Sequence, residues 1–406
     1  MTAQATQNKI PKLRFSGFYG EWEEKKFGKV FSFKTTNSFS RDNLNYENGK
    51  VKNIHYGDIH TKFKTHFDIK KEMVPFINSE IKLDKISSDN YCKNGDLIIA
   101  DASEDYADIG KSIEITNLNN EKVLAGLHTL QARPSLGVFW TKFIGQMMKS
   151  KRIRSQIITI AQGTKVLSIS TGRLSNIFIN IPSINEQQKI AEFLEATDEW
   201  IENLKVQKEN LESYKKGMMQ KIFSQEIRFK DDKGNAFPGW EEKKLGEICK
   251  IITGKLNANA MKKDGEYRFY TCAKEFYKID KYAFDTEALL ISGNGANVGY
   301  IHYYKGKFNA YQRTYVLDDF KSDITFAKYF LDKNLSTRIE KEKKAGNTPY
   351  IVMDTLSKLN IFLPSLLEQQ KIAEFLTSID KLIESKQQQI TQAEQWKRGL
   401  TQGLFV

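Results

Sequence analysis

The chain has 406 residues, of which 40% are hydrophobic and 28% charged, an ordinary composition for a protein with a packed core. This length exceeds the usual size of one core and predicts at least two domains, while the absence of any apolar run of ~20 residues argues against a membrane span. The net charge of +12 favours a polyanionic partner.

The N-terminal sequence MTAQATQNKI has no apolar signal core and predicts a short disordered tail within a lead-in of residues 1–19. Cys92, Cys249 and Cys272 form no CxxC pair, so we expect reduced thiols in a cytoplasmic protein. The 26 Phe and 17 Tyr, many of them near Lys, Asn and Gly, suit contact with nucleic acid. A β-rich core explains the same aromatic content equally well.

Residues 20–182 predict a first α+β domain. Short apolar runs at 96–100 and 175–181 are typical of strands, and turn-forming residues separate such runs. Apolar residues recur every three to four positions in 140–160, which indicates a helix there.

Residues 183–227 predict one long helix. Pro182 and Ser183 stand before Glu186 with the spacing of a capping box at a helix start. Apolar residues then follow in alternating steps of four and three, which is the heptad pattern of a coiled coil. The predicted pairing residues are Ile190, Leu194, Ile201, Leu204, Leu211 and Met218.

Residues 228–364, with a lead-in at 228–238, predict a second and shorter domain with strands at 288–292 and 313–317 and a helix at 326–343. Its sequence SGNGANVG at 292–299 looks like a phosphate-binding loop, but a strand-like YIHYY follows, so we predict a β-hairpin turn. Residues 365–406 predict a second long helix. Its pairing residues are Ile372, Leu376, Ile379, Ile383, Ile390 and Leu400.

The chain also contains two long internal repeats. The nonapeptide EQQKIAEFL occurs at 186–194 and at 368–376, an offset of 182, and the segments WEEKKFG and WEEKKLG occur at 22–28 and 240–246, an offset of 218. The segment between the repeats is therefore 36 residues shorter in the second copy. Two constant frames around two different inserts indicate one activity carried out twice, with two specificities.

The repeat also predicts how the helices are arranged. Two homologous helices related by a pseudo-two-fold axis pair antiparallel and place the two inserts at opposite ends. Leu204 aligns with Lys386 and Lys208 aligns with Ile390, so pairing between unlike helices is favoured. The expected fold is α+β, with two homologous α/β domains separated by two long helices in an antiparallel coiled coil.

Catalytic motifs are not evident. The chain has no GxxxxGK[ST] sequence and no Asn-Pro-Pro or Asp-Pro-Pro segment, which argues against methyltransferase chemistry in this chain. His55, His60, His66 and Asp58 are close in sequence but lack a recurring metal-ligand spacing. We therefore expect a non-catalytic protein without a bound metal.

The repeated P-S-x-x-E-Q-Q-K-I-A-E-F-L and W-E-E-K-K-x-G segments resemble the specificity (S) subunits of type I restriction–modification systems. The resemblance covers nearly the whole chain but is loose in the inserts. It implies two target recognition domains, each binding half of a bipartite site in double-stranded DNA, and helices that set the half-site spacing and dock two methyltransferase (M) subunits. Restriction (R) subunits complete the complex. The resemblance further implies that S-adenosylmethionine, ATP and Mg²⁺ are bound by the partners and that this chain binds no cofactor.

Candidate DNA contacts must come from the inserts, where donor-rich side chains stand at turns. A solvated loop residue explains each of them as well as a DNA contact does. The candidates are Ser40, Arg41, His55, Tyr56, Ser103, His128, Thr129, Gln162, Thr164 and Lys165 in the first insert, and Thr253, Lys255, Asn294, Asn297, Gln312, Arg313, Asn347 and Thr348 in the second.

For Glu186, Gln187, Glu368 and Gln369 we expect helix capping, with M-subunit docking nearby. Two alternatives to a DNA-specificity subunit remain at this point. One is a coiled-coil scaffold that does not read DNA, and the other, less favoured, is a self-contained enzyme.

Overall fold

The computed structural model describes residues 9–342 and 350–406 and divides into two compact units. Unit 1 comprises Met1–Leu204 and Gln389–Val406, and unit 2 comprises Lys205–Gln388. Each unit thus contains one mixed helix and sheet domain together with segments of both long helices. The domain limits drawn from the sequence remain predictions, since the division between units falls inside the helices.

The domain of unit 1 contains thirteen short strands and five short helices among the described residues. Its strands are β1 Glu23–Lys26, β2 Phe31–Lys34, β3 Leu44–Asn45, β4 Lys52–Ile54, β5 His66–Asp68, β6 Phe76–Ile77, β7 Leu97–Ala100, β8 Ala102–Ser103, β9 Ser112–Asn117, β10 Val123–Ala125, β11 Thr129–Pro134, β12 Leu167–Ser168 and β13 Phe178–Ile181. Its helices are α1 Phe27–Val30, α2 Tyr56–Thr61, α3 Phe143–Met147, α4 Lys151–Ile160 and α5 Thr171–Leu174.

These strands form a five-stranded sheet in the order β2-β11-β7-β9-β5 and a four-stranded sheet in the order β10-β4-β6-β3. The apolar run of β7 is buried at all four residues because it lies at the centre of the larger sheet, covered on both faces. Two two-stranded ladders, β1-β13 and β12-β8, complete the domain.

Unit 2 has a simpler sheet. Its six-stranded sheet runs in the order β15-β20-β18-β19-β16-β17, and a two-stranded ladder joins β14 to β21. The strands are β14 Glu241–Lys244, β15 Lys250–Thr253, β16 Tyr267–Tyr270, β17 Tyr277–Ile279, β18 Phe284–Ser292, β19 Ile301–Ala310, β20 Thr314–Asp318 and β21 Asn360–Leu363, with helices α7 Leu245–Ile248, α8 Ile324–Glu342 and α9 Met353–Ser357.

The repeated segments around each insert pair with each other. In unit 1 the WEEKK strand β1 pairs antiparallel with β13, with Glu23 opposite Ile181. In unit 2 β14 pairs in the same way with β21, with Glu241 opposite Leu363. The constant residues thus close each variable domain at its base, immediately before a long helix begins.

The two long helices are α6 Ile184–Phe223 and α10 Leu366–Leu404. The hydroxyls of Ser183 and Ser365 accept hydrogen bonds from the backbone N–H groups of Glu186 and Glu368 at 3.3 and 3.4 Å. This satisfies a donor that the helix start leaves unpaired. The predicted helix starts are confirmed, and α6 ends at Phe223.

The predicted pairing residues pack in three different surroundings. Ile190 and Leu194 belong to the core of unit 1, and Ile372, Leu376 and Ile379 to the core of unit 2. Ile201, Leu204 and Ile390 form, with Ala393, a small cluster made of the two helices themselves. The heptad pattern therefore serves two purposes, since parts of each helix anchor the domains and an inner stretch of unit 1 packs helix on helix.

The remaining predicted pairing residues are less deeply buried. Leu211, Met218, Ile383 and Leu400 are half-buried, with Met218 and Ile383 packed against the core of unit 2 and Leu400 against that of unit 1. The neighbouring Met219 is buried as well. A strict heptad drifts by ~20° per repeat relative to a straight helix of 3.6 residues per turn, so adjacent residues can share the inward side.

Most sequence-based elements are confirmed. The strands expected at 96–100, 175–181, 288–292 and 313–317 correspond to β7, β13, β18 and β20, and the helix expected at 326–343 corresponds to α8. Residues 293–300 connect the antiparallel strands β18 and β19, which confirms the hairpin. The helix expected at 140–160 is two helices, because Ser150 has an extended backbone and caps α4 through its hydroxyl.

The described part of the lead-in, which begins at Lys9, is hydrogen-bonded to the rest of unit 1. The carbonyl of Lys9 accepts from the N–H of Trp22, and the N–H of Leu13 donates to the carbonyl of Gly403. Among residues 9–342 and 350–406, none of the helices has an apolar stretch able to cross a bilayer.

Candidate nucleic-acid interface

The loops of the first domain bring together three of the residues predicted to contact DNA, His55, Tyr56 and His128. The Tyr56 ring lies 4.7 Å from the His55 ring and 5.2 Å from the His128 ring. His128 has a left-handed backbone, with φ 53°, at the turn between β10 and β11, and its Nδ1 lies 3.3 Å from Oδ1 of Asp101. This arrangement presents the half-exposed His128 ring beside an aromatic phenol.

The second group of candidates lies next to this cluster. Ser103 of β8 pairs through its backbone with Leu167 of β12, and Gln162 forms a backbone β-bridge with Ser168. The N–H of Ile169 donates to the carbonyl of Asp101. The intervening residues Gln162, Thr164 and Lys165 are exposed. The loop of residues 162–166 therefore projects beside Asp101, the partner of His128.

Two candidates are poorly placed for DNA contact. Thr129 is 2% exposed, and its hydroxyl donates to the carbonyl of Gly126 inside the domain. His55 is 6% exposed, and its Nδ1 accepts from the N–H of Gly57 at the start of α2. Burial, followed by the nearby Arg41 charge, lowers the pKa of His55 to about 4, so its ring is neutral at pH 7. Both side chains make hydrogen bonds inside the domain, so the prediction that they contact DNA is corrected.

Arg41 is occupied by an internal ion pair. Its guanidinium makes two hydrogen bonds, of 2.7 and 2.9 Å, to the fully buried Asp58, which Lys62 also approaches at 3.0 Å. Burial alone would raise the pKa of Asp58, but the hydrogen bonds from Arg41 and Lys62 lower it below its ordinary value. The adjacent Ser40 hydroxyl bonds the Asn43 side chain. Arg41 thus fixes the loop, and its exposed part remains available to a partner.

The candidates of the second domain also converge at one end. The N–H of Gly254 donates to the carbonyl of Thr314, that of Gln312 to Leu256, and that of Gly293 to Arg313. These bonds hold Thr253, at the end of β15, close to the loops that contain Lys255, Gln312 and Arg313. Asn297 donates through Nδ2 to the carbonyl of Cys272 at 3.1 Å, and Asn294 bridges to Tyr350. Asn347 and Thr348 lie outside the described residues.

The backbone at position 254 passes so close to the backbone of Ala310 that only glycine fits there. A Cβ at this position would lie 2.0 Å from the carbonyl oxygen of Ala310, a backbone atom that cannot move aside. A shallow pocket of about 340 Å³ lies nearby, lined by Gly293, Gln312, Arg313, Tyr315 and Ile351. Exposed amide and guanidinium donors at its rim suit hydrogen bonding to base edges and phosphates.

The side chains of the constant glutamates bind the lead-in segments instead of capping the helices. Glu186 accepts two hydrogen bonds of 2.9 Å from the Arg14 guanidinium and one of 3.2 Å from the Trp22 indole. In unit 2 Glu368 accepts 2.7 and 2.8 Å bonds from Arg228 and a 3.3 Å bond from Trp240. The capping expectation for these carboxylates is wrong, because the serines cap and the glutamates clamp the lead-in segments.

The glutamine that follows each glutamate holds the domain. Gln187 donates to the carbonyls of Val138 and Pro182 and accepts from the N–H of Trp140. Gln369 donates to the carbonyl of Pro364 and accepts from the N–H of Asp323. Arg14 and Arg228 are not among the residues predicted above, although an Arg-Phe dipeptide precedes each WEEKK segment and is a signal for them.

Ion pairs join the two long helices within each unit. In unit 1 Lys397 donates to Asp198, which also accepts from Gln146. In unit 2 Lys215 bonds both oxygens of Asp380 at 2.6 and 2.8 Å, and the Tyr329 hydroxyl donates to the same carboxylate. Repeated aspartates and lysines thus join α6 to α10 and both helices to the domain.

Unit 1 carries a row of aromatic rings, here called the aromatic strip and formed by Phe15, Phe193, Trp396 and Trp200. Successive ring centroids are 5.4, 6.1 and 6.2 Å apart in edge-to-face contact. Both tryptophans are 49% exposed. Unit 2 repeats the first contact as Phe229 on Phe375, at 5.7 Å, and exposes Leu382 and Tyr214 at the positions equivalent to the tryptophans.

Within residues 9–342 and 350–406, no group of three His, Cys, Asp or Glu side chains is arranged to hold a metal ion. His60 and His66, considered above for such a site, each place Nε2 near a backbone carbonyl, that of Ala102 and that of Lys142.

Comparison with known proteins agrees with this architecture. The specificity subunit of the EcoDI type I restriction enzyme of Escherichia coli is 40% identical over 167 residues, which is 41% of this chain and 37% of that protein. The MjaVIII specificity subunit of Methanocaldococcus jannaschii is 28% identical over 296 residues, covering 64% and 67% of the two chains.

The crystal structure of the type I S subunit from M. genitalium has the same fold, with a TM-score of 0.58 at 17% identity over 98% of this chain and 99% of that one. The family model described as the type I restriction modification DNA specificity domain matches residues 19–213 and again residues 238–395. Since these two matches cover both copies of the repeat, the chain belongs to the type I restriction modification DNA specificity domain family.

Proposed function

We propose that this chain is the DNA-specificity subunit of a type I restriction–modification complex, with each domain reading one half of a bipartite site. One observation carries the proposal: the family match occurs twice, and in each match a sheet domain gathers donor-rich loops at one end. Under this proposal the chain is non-catalytic and cytoplasmic. Methylation and cleavage belong to M and R subunits, which bind S-adenosylmethionine, ATP and Mg²⁺.

The two domains offer different chemistry to DNA. The first presents His128, Tyr56 and the exposed loop with Gln162 and Lys165. The second presents Gln312, Arg313 and Lys255. Amide and guanidinium groups can each form paired hydrogen bonds with one base edge, whereas lysines suit phosphates. Different donor sets on a repeated frame support two unlike half-sites.

The long helices are proposed to pair as an antiparallel coiled coil that sets the half-site spacing. Support comes from each unit by itself, because the Asp198–Lys397 and Lys215–Asp380 pairs join an early residue of one helix to a late residue of the other. Half-sites read from one face of DNA lie about 34–36 Å apart, or one helical turn.

The helices are further proposed to dock two M subunits, one at each unit. The aromatic strip supports this, because half-exposed tryptophans are typical anchors of protein interfaces. Phe193, Trp200 and Trp396 lie on the long helices outside the variable inserts, where a partner common to all specificities would bind. The Phe229–Phe375 contact of unit 2 suits a partner present in two copies.

The DNA-reading proposal is tested by expressing the chain with its M subunits and sequencing the methylated DNA. Gln162→Ala with Lys165→Ala should change or weaken one half-site, and Lys255→Ala with Arg313→Ala the other. Lys82→Ala, at an exposed residue outside these loops, is the control. A complex with neither methylation nor salt-dependent DNA binding would instead favour the scaffold hypothesis.

Docking is tested separately by the mass of the assembled complex. Trp200→Ala with Trp396→Ala should reduce two bound M subunits to one, while Leu136→Ala, at a fully exposed apolar residue, should retain both. An unchanged mass and an unchanged affinity in the tryptophan variant would contradict the assignment of the aromatic strip.

A further inference from the structure

Arg268 in β16 contacts two aromatic rings. Its guanidinium carbon is 4.2 Å from the centre of the Phe276 ring and 4.5 Å from that of Tyr304. Nη1 donates to the Tyr270 hydroxyl at 3.4 Å. The two ring contacts and the hydrogen bond restrict the guanidinium, and N–H groups remain that can donate to a ligand.

The guanidinium has no carboxylate partner in the described part of the chain. Of the other arginines in residues 228–364, Arg228 pairs with Glu368 and Arg338 with Glu342. Arg313 is exposed on its loop without such stacking. Arg268 therefore combines an uncompensated charge with a fixed geometry.

Arg268 also lies close to the recognition loops. The end of its strand joins them, since the N–H of Tyr311 donates to the carbonyl of Tyr270 at 2.8 Å. The segment that follows supplies Phe276 and also accepts the Asn297 bond at Cys272. Two residues of strand, about 6.6 Å, separate Arg268 from Tyr270, well within the width of a DNA duplex.

We propose that Arg268 is a specificity-determining residue of the second domain, donating to O6 and N7 of a guanine in the major groove. This inference rests on the proposed DNA-reading function. Arginine is suited to this contact because its two parallel N–H groups match the two acceptors of guanine. The ring contacts already restrict the Arg268 side chain in the free protein. Less conformational entropy is therefore lost when it binds DNA, which favours affinity.

The test uses the chain assembled with its M subunits and a library of sites randomised in both half-sites. Arg268→Lys keeps the charge but loses the planar fork. At one G·C pair of the second half-site, discrimination against other bases should fall roughly 10- to 100-fold. Preferences in the first half-site should not change.

Lys307→Ala is the matched control, because Lys307 lies 4.8 Å from the Tyr282 ring in the same sheet. It should leave every base preference unchanged. Phe276→Leu keeps Arg268 but removes one stacking ring, and should relax the same base position to a smaller extent. This second variant keeps the test decisive if Arg268→Lys folds poorly.

A uniform loss of binding over all sequences would show that Arg268 contacts phosphate or supports the fold, and would overturn the proposal. So would unchanged preferences, or a second half-site without a G·C pair. A wild-type complex that methylates no bipartite site would overturn the DNA-reading function itself, which is a distinct result.

Discussion

Substituting Glu186 by Gln tests the clamp that joins the lead-in segment to the start of α6. The carboxylate is nearly inaccessible and receives two hydrogen bonds from Arg14 and one from Trp22. Gln keeps the size but presents an N–H₂ group to one donor and removes the charge that compensates Arg14. We expect a local loss of stability in unit 1.

The magnitude follows from the partners that remain. Hydrogen bonds to a charged group contribute about 1.5–3 kcal/mol each, and removal of one member of a buried pair costs about 3–5 kcal/mol. Arg14 retains some exposure and its bonds to the carbonyls of Gly20 and Tyr19, so we expect a smaller cost, about 2–3 kcal/mol.

Hydrogen exchange measured by mass spectrometry can assign this cost to one unit. In Glu186→Gln, amides in the first turns of α6 should exchange about 30- to 150-fold faster, which corresponds to 2–3 kcal/mol of opening free energy. Peptides of unit 2 should not change. Glu368→Gln is the internal counterpart and should produce the same change at the start of α10 alone.

Exchange rates within threefold of wild type for Glu186→Gln would refute the clamp. Equal acceleration across both units would refute the local character of the effect.

Three further predictions concern pH, packing and charge. Burial, with a smaller contribution from Lys149, lowers the pKa of His66 from 6.5 to about 4, so the unfolded chain binds a proton that the folded chain does not, and stability should fall as pH drops from 6.5 to about 4. Burial raises the pKa of Glu114 from 4.5 to about 7, so the stability that this group contributes falls as pH rises from 4.5 to about 7. Denaturation curves measured across this pH range check both groups. His66→Gln should reduce the loss of stability on acidification, and Glu114→Gln should make stability rise more steeply with pH. Gly254→Ala should destabilise unit 2 by about 2 kcal/mol or more and abolish reading of one half-site, whereas Gly239→Ala, with no atom within 4 Å of the added methyl, should be tolerated in both assays. Exchange of the charges of Asp198 and Lys397 should recover up to about 1 kcal/mol of the loss seen in either single charge reversal, and a double-mutant cycle that shows no coupling would contradict this pairing.

Several parts of the site could be predicted from sequence because they depend on local spacing. The Ser183 and Ser365 caps, the heptad steps and the SGNGANVG hairpin each involve residues a few positions apart. The likeness of the two repeats also located the variable inserts. By contrast, Thr129 and Gln162 both appear as polar turn residues in the sequence, yet one is buried and the other exposed. Whether each side chain is buried depends on pairing with strands that are distant in sequence, such as that of β11 with β7 at Thr129.

The sequence by itself determined that one frame is used twice, with a long amphipathic helix after each insert, because duplication and periodicity are written in residue order. Only the tertiary structure decided what the repeated residues do. Glu186 meets Arg14 across 172 positions and Lys397 meets Asp198 across 199. It likewise decided that Phe276 and Tyr304 stack on Arg268. Such contacts form when chain segments distant in sequence bury their apolar surfaces together, and no local pattern encodes which charged or aromatic groups then become neighbours.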